Sequence, residues 1–294
     1  MAQKYILSAQ NVKWGLHMEW IGYKISEQIL ISEMFSLFKR HYEYGYNFSG
    51  ETHDFWECVY VLDGSMCVSA DERVYNLSRG EIIFHKPMEL HKFHIEEKKG
   101  ADLLIFSFSA SGELTRFLQN KVFKLSIEQN EIVHNLSRYM DRFEKNGESA
   151  TLYVERFNEK KVFSQRIATY IQMLILSLAD SGRVSTVSHA ADAVLFNKAV
   201  SYMNKNAYDK ALISDIAQHC NISDAGIKRI FSKYAGMSVH KYFLKIKFKI
   251  AAELLEKGES VSTVSQILGF SSQAYFSKSF KREMGYYASE FRKQ

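Results

Sequence analysis

The chain has 294 residues, a formal net charge of +5, and 46% hydrophobic against 24% charged residues. That length suits two or three packed units rather than one undivided core, and the composition excludes global disorder, collagen and coiled-coil rods. The three cysteines, Cys58, Cys67 and Cys220, form no CxxC and no even set, so neither a disulfide framework nor a thiolate zinc site is expected, and a reducing cytoplasm suits the chain.

The N-terminus, Met1 to Tyr5, has no basic-then-apolar signal region. The longest apolar stretch, Ile167 to Ala179, is interrupted by Gln172 and is too short to span a bilayer. A soluble protein without a membrane partner is therefore expected. From about Tyr42 to Ser109 the chain reads as short strands rich in β-branched and aromatic residues: Phe55–Leu62, Met66–Ser69, Arg73–Leu77, Glu81–Phe84 and Leu103–Phe108. Turn signals separate them at Asp63-Gly64-Ser65, Asp71-Glu72 and Ser78-Arg79-Gly80, the spacing of an antiparallel sandwich or small barrel within residues 1–125.

From Ser126 the period changes. Ile132, Leu136, Tyr139 or Met140 and Phe143 recur at three and four, and after Asn146-Gly147-Glu148-Ser149 a second stripe runs through Phe163, Ile167, Tyr170, Leu174 and Leu178. Residues 126–180 thus form two amphipathic helices that either cap the barrel or supply a dimer seam. Residues 181–192 lack a helical period and read as a linker.

Residues 193–294 are helical to the end and hold 16 Lys and Arg against 8 Asp and Glu, leaving the remainder of the chain mildly acidic. A basic unit of this kind suits a polyanion, because clustered cations release counterions from a phosphate backbone. An internal repeat organises it. Ile213-Ser214-Asp215-Ile216-Ala217 and Ile227 to Phe231, closed by Gly236, are echoed by Val261-Ser262-Thr263-Val264-Ser265 and Phe276 to Phe280, closed by Gly285. Each copy offers a short helix, a turn at Asn221 or Gly269, and a second helix capped by Ser223 or by Ser271/Ser272. These are two helix-turn-helix patterns, at about 213–235 and 261–284. Ile227, Phe231, Phe276 and Phe280 face the core, leaving Ala225, Lys228 and Arg229, or Gln273, Ala274, Ser277 and Lys278, outward. Arg and Gln read guanine and adenine edges bidentately, while Lys and Ser reach bases or phosphates. A helical run from Lys241 to Lys257 joins the copies, with Phe243, Ile246, Ile250 and Leu254 on its apolar side. Its roughly 27 Å at 1.5 Å per residue is comparable with one turn of DNA.

Gly269 to Lys281 with Gly285, and Ala251-Ala252-Glu253-Leu254-Leu255 in the connecting helix, resemble the AraC-type regulators of bacterial transcription. The resemblance implies an α+β protein: a cupin-like β-barrel with two following helices, then an all-α domain of two helix-turn-helix units. It implies that helices starting near Ser223 and Ser272 enter adjacent major grooves of promoter DNA, which makes Ser223, Asp224, Ala225, Lys228, Arg229, Ser272, Gln273, Ala274, Ser277 and Lys278 the expected DNA-facing set. A homodimer and RNA polymerase are further expected partners. The sequence departs from the family at Lys247, where arginine is usual, at Ala288, where proline is usual, and at Gly226 inside the first recognition helix.

His53-Asp54-Phe55-Trp56-Glu57 with Gly64, then Gly80, Pro87 and His91, resembles the two cupin motifs, in which inward His and Glu can hold a metal. Glu51 stands where the catalytic pattern has its first histidine, so no metal and no cofactor are expected. His53, Trp56, Glu57, Tyr60, His91 and His94 are instead the expected walls of a site for a small-molecule effector such as a sugar, because aromatic faces stack on sugar rings and His both donates and accepts. No nucleophile with a paired base and no phosphate-cradling loop stands out, so no catalytic residue is named. The rival reading is a metal-dependent cupin enzyme with a DNA-binding tail.

Overall fold

The protein was analysed as a computed structural model, which describes residues 22–71, 73–141, 152–153, 161–181, 183–185, 191–209 and 212–291. The N-terminal unit is built from strands β1 (Leu30–Tyr42), β2 (Trp56–Ala70), β3 (Arg73–Ser78), β4 (Glu81–His85), β5 (His91–His94), β6 (Ala101–Ser111), β7 (Val122–Lys124), β8 (Leu152–Tyr153) and β9 (Arg183–Val184). All their pairings are antiparallel, in the order β8-β1-β6-β2-β4-β7-β9, with β3 and β5 both added to β2.

The organising element is β2. Its first half lies between β4 and β6, and its second half between β3 and β5. The turn expected at Asp63-Gly64-Ser65 is not a chain reversal: the strand runs through it, with a register shift between Val61 and Asp63. Gly64 makes this bend possible. Its φ is +78°, and a Cβ there would stand 2.4 Å from the Gly100 carbonyl oxygen, so only glycine fits. The shift also changes the alternation of side chains. Val59 and Val61 before it, and Met66 and Val68 after it, all enter one core with Leu77, Ile83, Phe93, Leu103 and Ile105.

The opposite face of the sheet meets two helices, α2 (Ile127–Asp141) and α3 (Lys161–Ser181), which follow the short α1 (Leu114–Leu118). Their stripes, including Ile132, Leu136, Met140, Phe163, Ile167, Leu174 and Leu178, share a core with Tyr60, Phe84, Phe106 and Phe108. Of the two roles expected for these helices, capping the barrel is therefore the one the packing displays. Phe143 and Asn146 to Ser149 lie outside the described residues. By length and composition α3 would pass as a membrane span, yet its apolar stripe is buried against the sheet. The segment expected as linker departs from that reading at its start: Ser181 ends α3, and Arg183–Val184 joins the sheet edge beside β7, where Ser185 N donates to Val122 O at 2.8 Å.

The C-terminal unit comprises α4 (Ala191–Lys205), α5 (Ile213–His219), α6 (Asp224–Ala235), α7 (Val239–Glu256), α8 (Val261–Ile267), α9 (Gln273–Met284) and α10 (Ala288–Phe291). It has two cores. Phe196, Ile216, Ile227, Ile230, Phe231 and Tyr242 fill the first, and Phe248, Val264, Leu268, Phe276 and Phe280 the second. Because α7 serves both, its burial is wider than a single stripe: Val239, Tyr242, Phe243, Lys247, Phe248, Ala251 and Leu255 are buried, whereas Ile246, Ile250 and Leu254 are only partly so. Lys247 is enclosed between the cores. Its ammonium donates to the carbonyls of Asp209 at 2.8 Å and Leu268 at 2.7 Å, and lies 4.9 Å from the ring centre of Phe243. Lysine here is a clamp on backbone carbonyls that bridges the two halves.

The two units are docked. Cys67 and Val74 of the barrel belong to the same core as α4 and α6. Ser69 Oγ donates to Tyr234 O, Lys92 Nζ donates to Ser232 O at 3.3 Å, and Tyr242 Oη donates to Asp71 O. Lys249 pairs with Asp71 at 3.1 Å and Lys233 with Glu96 at 3.3 Å. Gly236, at the end of α6, approaches the chain at Ser49 so closely that a Cβ would be 2.9 Å from its carbonyl oxygen.

Candidate functional site

Both helix-turn-helix units are built as local chemistry dictates. Asn221 makes the first turn at φ 56° and Gly269 the second at 67°, the left-handed backbone that these two residue types tolerate best. Ser223 Oγ then accepts from Gly226 N at 3.1 Å, and Ser272 Oγ from Tyr275 N at 3.1 Å, capping α6 and α9. With Ile227, Phe231, Phe276 and Phe280 buried, the other faces of α6 and α9 are left to solvent. Ser223, Asp224, Ala225, Lys228 and Arg229 are exposed on the first, and Ser272, Gln273, Ala274 and Lys278 on the second, with Ser277 partly so. Arg229 is held near Asp192 at 3.9 Å but stays 75% exposed. Tyr275, which the sequence reading did not single out, is also exposed beside Gln273 and Ala274. Its place one residue before the buried Phe276 was the available signal.

A second polar cluster lies in the N-terminal unit, where strand pairing assembles it. Glu57 on β2 is directly opposite His85 on β4, and an isolated bridge sets Glu51 opposite His91. His53 stacks on Phe55 with ring centres 3.9 Å apart and brings Nε2 to 3.9 Å from Glu57 Oε2. His91 Nε2 stands 3.3 Å from Glu57 Oε1 and 3.5 Å from Glu51 Oε1. Behind it, the His85 ring stacks on His91 at 4.3 Å and its Nδ1 meets Glu89 Oε2 at 2.8 Å.

Burial pushes the Glu57 carboxyl up, but the surrounding imidazoles, His91 foremost, outweigh it and hold the group below the ordinary carboxylate range. Burial pulls His91 down, and Glu51 and Glu57 more than reverse this, raising it to about 10. His85 is lowered by burial and by His91. Glu89 is held at about 2, because His85 and Lys86 overcome its burial.

The expected effector set is divided by the sheet. His53, Glu57 and His91 converge, joined by Glu51. Trp56 and Tyr60 do not share their space: alternation along β2 turns both to the opposite face, into the core beneath α2 and α3, where Tyr60 Oη donates to Asn130 Oδ1 at 2.6 Å. His94 is also elsewhere. It points outward from β5, with Nε2 2.9 Å from Glu96 Oε1, and belongs to the joint with α6.

Two family models match the chain, and together they cover about two thirds of it: an AraC-like ligand binding domain over residues 37–157 and a helix-turn-helix domain over residues 216–294. The chain belongs to the AraC-type transcriptional regulators. Among its AraC-type relatives, the Msm operon regulatory protein of Streptococcus mutans is 24% identical over 85% of this chain and 88% of its own length. The transcriptional activator RhaR of Mannheimia succiniciproducens is 21% identical over 94% and 96%. A solved AraC-type DNA-binding structure from Chromobacterium violaceum is 28% identical over 36% of this chain and 96% of its own, with a TM-score of 0.35. This AraC-type protein thus combines a ligand-binding barrel with a DNA-binding unit, and the enzyme-with-a-tail reading gains no support.

Proposed function

We propose that this regulator binds promoter DNA as a homodimer, each chain laying α6 and α9 in successive major grooves, under the control of a small molecule received at Glu51, His53, Glu57 and His91. The observation that carries this reading is the pair of serine-capped helices whose reading faces are uncovered while their opposite faces hold the core together. Arg229 and Gln273 are the base readers; Lys228, Lys278, Ser223, Ser272 and Ser277 divide between bases and phosphates, and Asp224, Ala225 and Ala274 lie on the same surfaces.

The route from sensor to reader is short. Along β5, His91 faces the polar cluster and Phe93 the barrel core, while Lys92 and His94 face outward to α6. A ligand that moves His91 therefore bears on the strand that holds Ser232 and Tyr234, and a differential affinity of a few kcal/mol between two arrangements makes a working switch. The protein works in the cytoplasm, contacts RNA polymerase at its promoters and catalyses no reaction.

Sequencing of genomic DNA bound by the protein in its host yields the promoter. On that DNA, Arg229→Ala and Gln273→Ala weaken binding more than on random duplex, whereas Lys241→Ala, an exposed lysine off the reading helices, changes both equally. Equal losses on both duplexes for all three variants refute the assignment of readers.

A further inference from the structure

The polar cluster contains more lone pairs than donors. His53 Nδ1 lies 2.9 Å from the carbonyl oxygen of Phe55, and His91 Nδ1 lies 3.2 Å from that of Glu89. A carbonyl oxygen only accepts, so both Nδ1 atoms carry the proton, and in the neutral rings both Nε2 atoms present a lone pair. Those lone pairs point toward the carboxylates of Glu51 and Glu57, which also only accept when ionised. His91 is 98% buried, yet its Nε2 has no hydrogen-bond partner among the described residues, and neither has His53 Nε2. One ligand atom from each of Glu51, His53, Glu57 and His91 lies within 4.8 Å of every other. Four electron-pair donors gathered this closely, one carboxylate nearly buried, repel one another unless a cation sits among them.

We propose that Glu51, His53, Glu57 and His91 bind one divalent transition-metal ion, which is the effector itself or the anchor for an oxygen-bearing effector. This deepens the reading of the cluster as the sensing site and rests on it. Two imidazoles with two carboxylates suit Zn²⁺, Mn²⁺, Fe²⁺ or Ni²⁺ rather than Ca²⁺ or Mg²⁺, whose preferred shells are all oxygen. The two Nδ1–H donations to backbone carbonyls are the outer contacts that fix a ligating histidine in its tautomer and orientation. Glu51 is central to the argument. At the sequence level it stands for a missing histidine, but the bridge to His91 carries its carboxylate into the cluster, where it supplies an oxygen in place of that nitrogen. Being half-exposed, it also leaves the ion a way in from solvent.

The test uses the full chain, stripped with chelator and titrated calorimetrically with Zn²⁺ and with Mn²⁺, with metal content measured after gel filtration. One equivalent is expected to remain bound. His91→Ala abolishes retention, and Glu51→Gln, at a half-exposed position that does not disturb the core, weakens affinity at least tenfold with an unchanged circular dichroism spectrum. The outward-facing His94→Ala retains the ion. Retention below 0.1 equivalent, or equal retention by Glu51→Gln and His91→Ala, overturns the proposal, the latter showing an adventitious ion only. Promoter binding by the same stripped protein is measured in parallel. Specific DNA binding with no metal uptake sinks the metal site alone, whereas loss of specific DNA binding by metal-free and metal-supplied protein alike sinks the regulator reading.

Discussion

Gly236 and Gly285 close the two recognition helices at equivalent places in the repeat, both with left-handed backbone, at φ 65° and 86°. Alanine at either position incurs the steric cost of that backbone, about 1 kcal/mol. At Gly285 the added methyl meets nothing within 4 Å, but at Gly236 it stands 2.9 Å from the carbonyl oxygen of Ser49. That atom is backbone and has little freedom to yield. Overpacking of this kind costs about 1–3 kcal/mol, and opening the joint between barrel and α6 relieves it. Taking about 2 kcal/mol as the excess, Gly236→Ala raises the population of the open joint roughly 30-fold over Gly285→Ala. Cys67 reports this directly. It is packed under the C-terminal unit, and burial, helped by Glu96 against the opposing pull of Lys233, pushes its thiol up to about 12, so it reacts only when uncovered. Iodoacetamide labelling followed by peptide mass spectrometry should show Cys67 modified roughly 30-fold faster in Gly236→Ala than in Gly285→Ala. Cys58, sealed in the other core of the barrel, serves as the internal control. Equal Cys67 rates in the two variants would refute the docked arrangement.

Phe276→Ala empties the centre of the second helix-turn-helix core and is expected to cost about 3–5 kcal/mol. Hydrogen exchange should accelerate across α8 and α9 while the amides of β2 and β6 keep their protection; uniform acceleration would contradict separate cores. Lys247→Met leaves the Asp209 and Leu268 carbonyls without their shared donor, for an expected loss of about 2–3 kcal/mol in calorimetric unfolding of the C-terminal unit. A loss below about 0.5 kcal/mol would show that the carbonyls find other donors. At Asn221, φ 56°, valine is expected to destabilise by about 1–2 kcal/mol and glycine to stay within about 0.5 kcal/mol, as read by urea unfolding. Similar losses for both would mean that the asparagine side chain, not the backbone, matters.

The DNA-facing unit was legible because its signals are local. A serine three residues before a helical amide, an asparagine or glycine at the turn, and apolar residues at i and i+4 each act within one or two helical turns, and the repeat states them twice. The barrel was legible only in part. Strands such as Arg73–Ser78 and Glu81–His85 show clear alternation, whereas β1, with Ser32, Glu33, Ser36, Lys39 and Arg40 interspersed among apolar residues, carries too weak a pattern to stand out. The parity that separates Trp56 and Tyr60 from Glu57 is written in their numbering. Which face covers helices and which the cluster is not, since that depends on where α2 and α3 pack. Glu51 enters the site through a bridge across 40 residues, and the joint between the units uses backbone carbonyls of Ser232, Tyr234 and Asp71 as acceptors, which every residue possesses and no motif announces.

The two copies of the repeat differ in what holds them. The end of α6 is moored to the barrel by Lys92, Ser69 and the close approach of Gly236, while the same point of α9 stands in open space. Any strain generated around β5 reaches the first reader by direct contact but the second only through α7 and the Lys247 bridge. The tandem is therefore mechanically lopsided: one hand is tied to the instrument that measures the environment, and the other has slack to find its groove and keep it while its twin is repositioned.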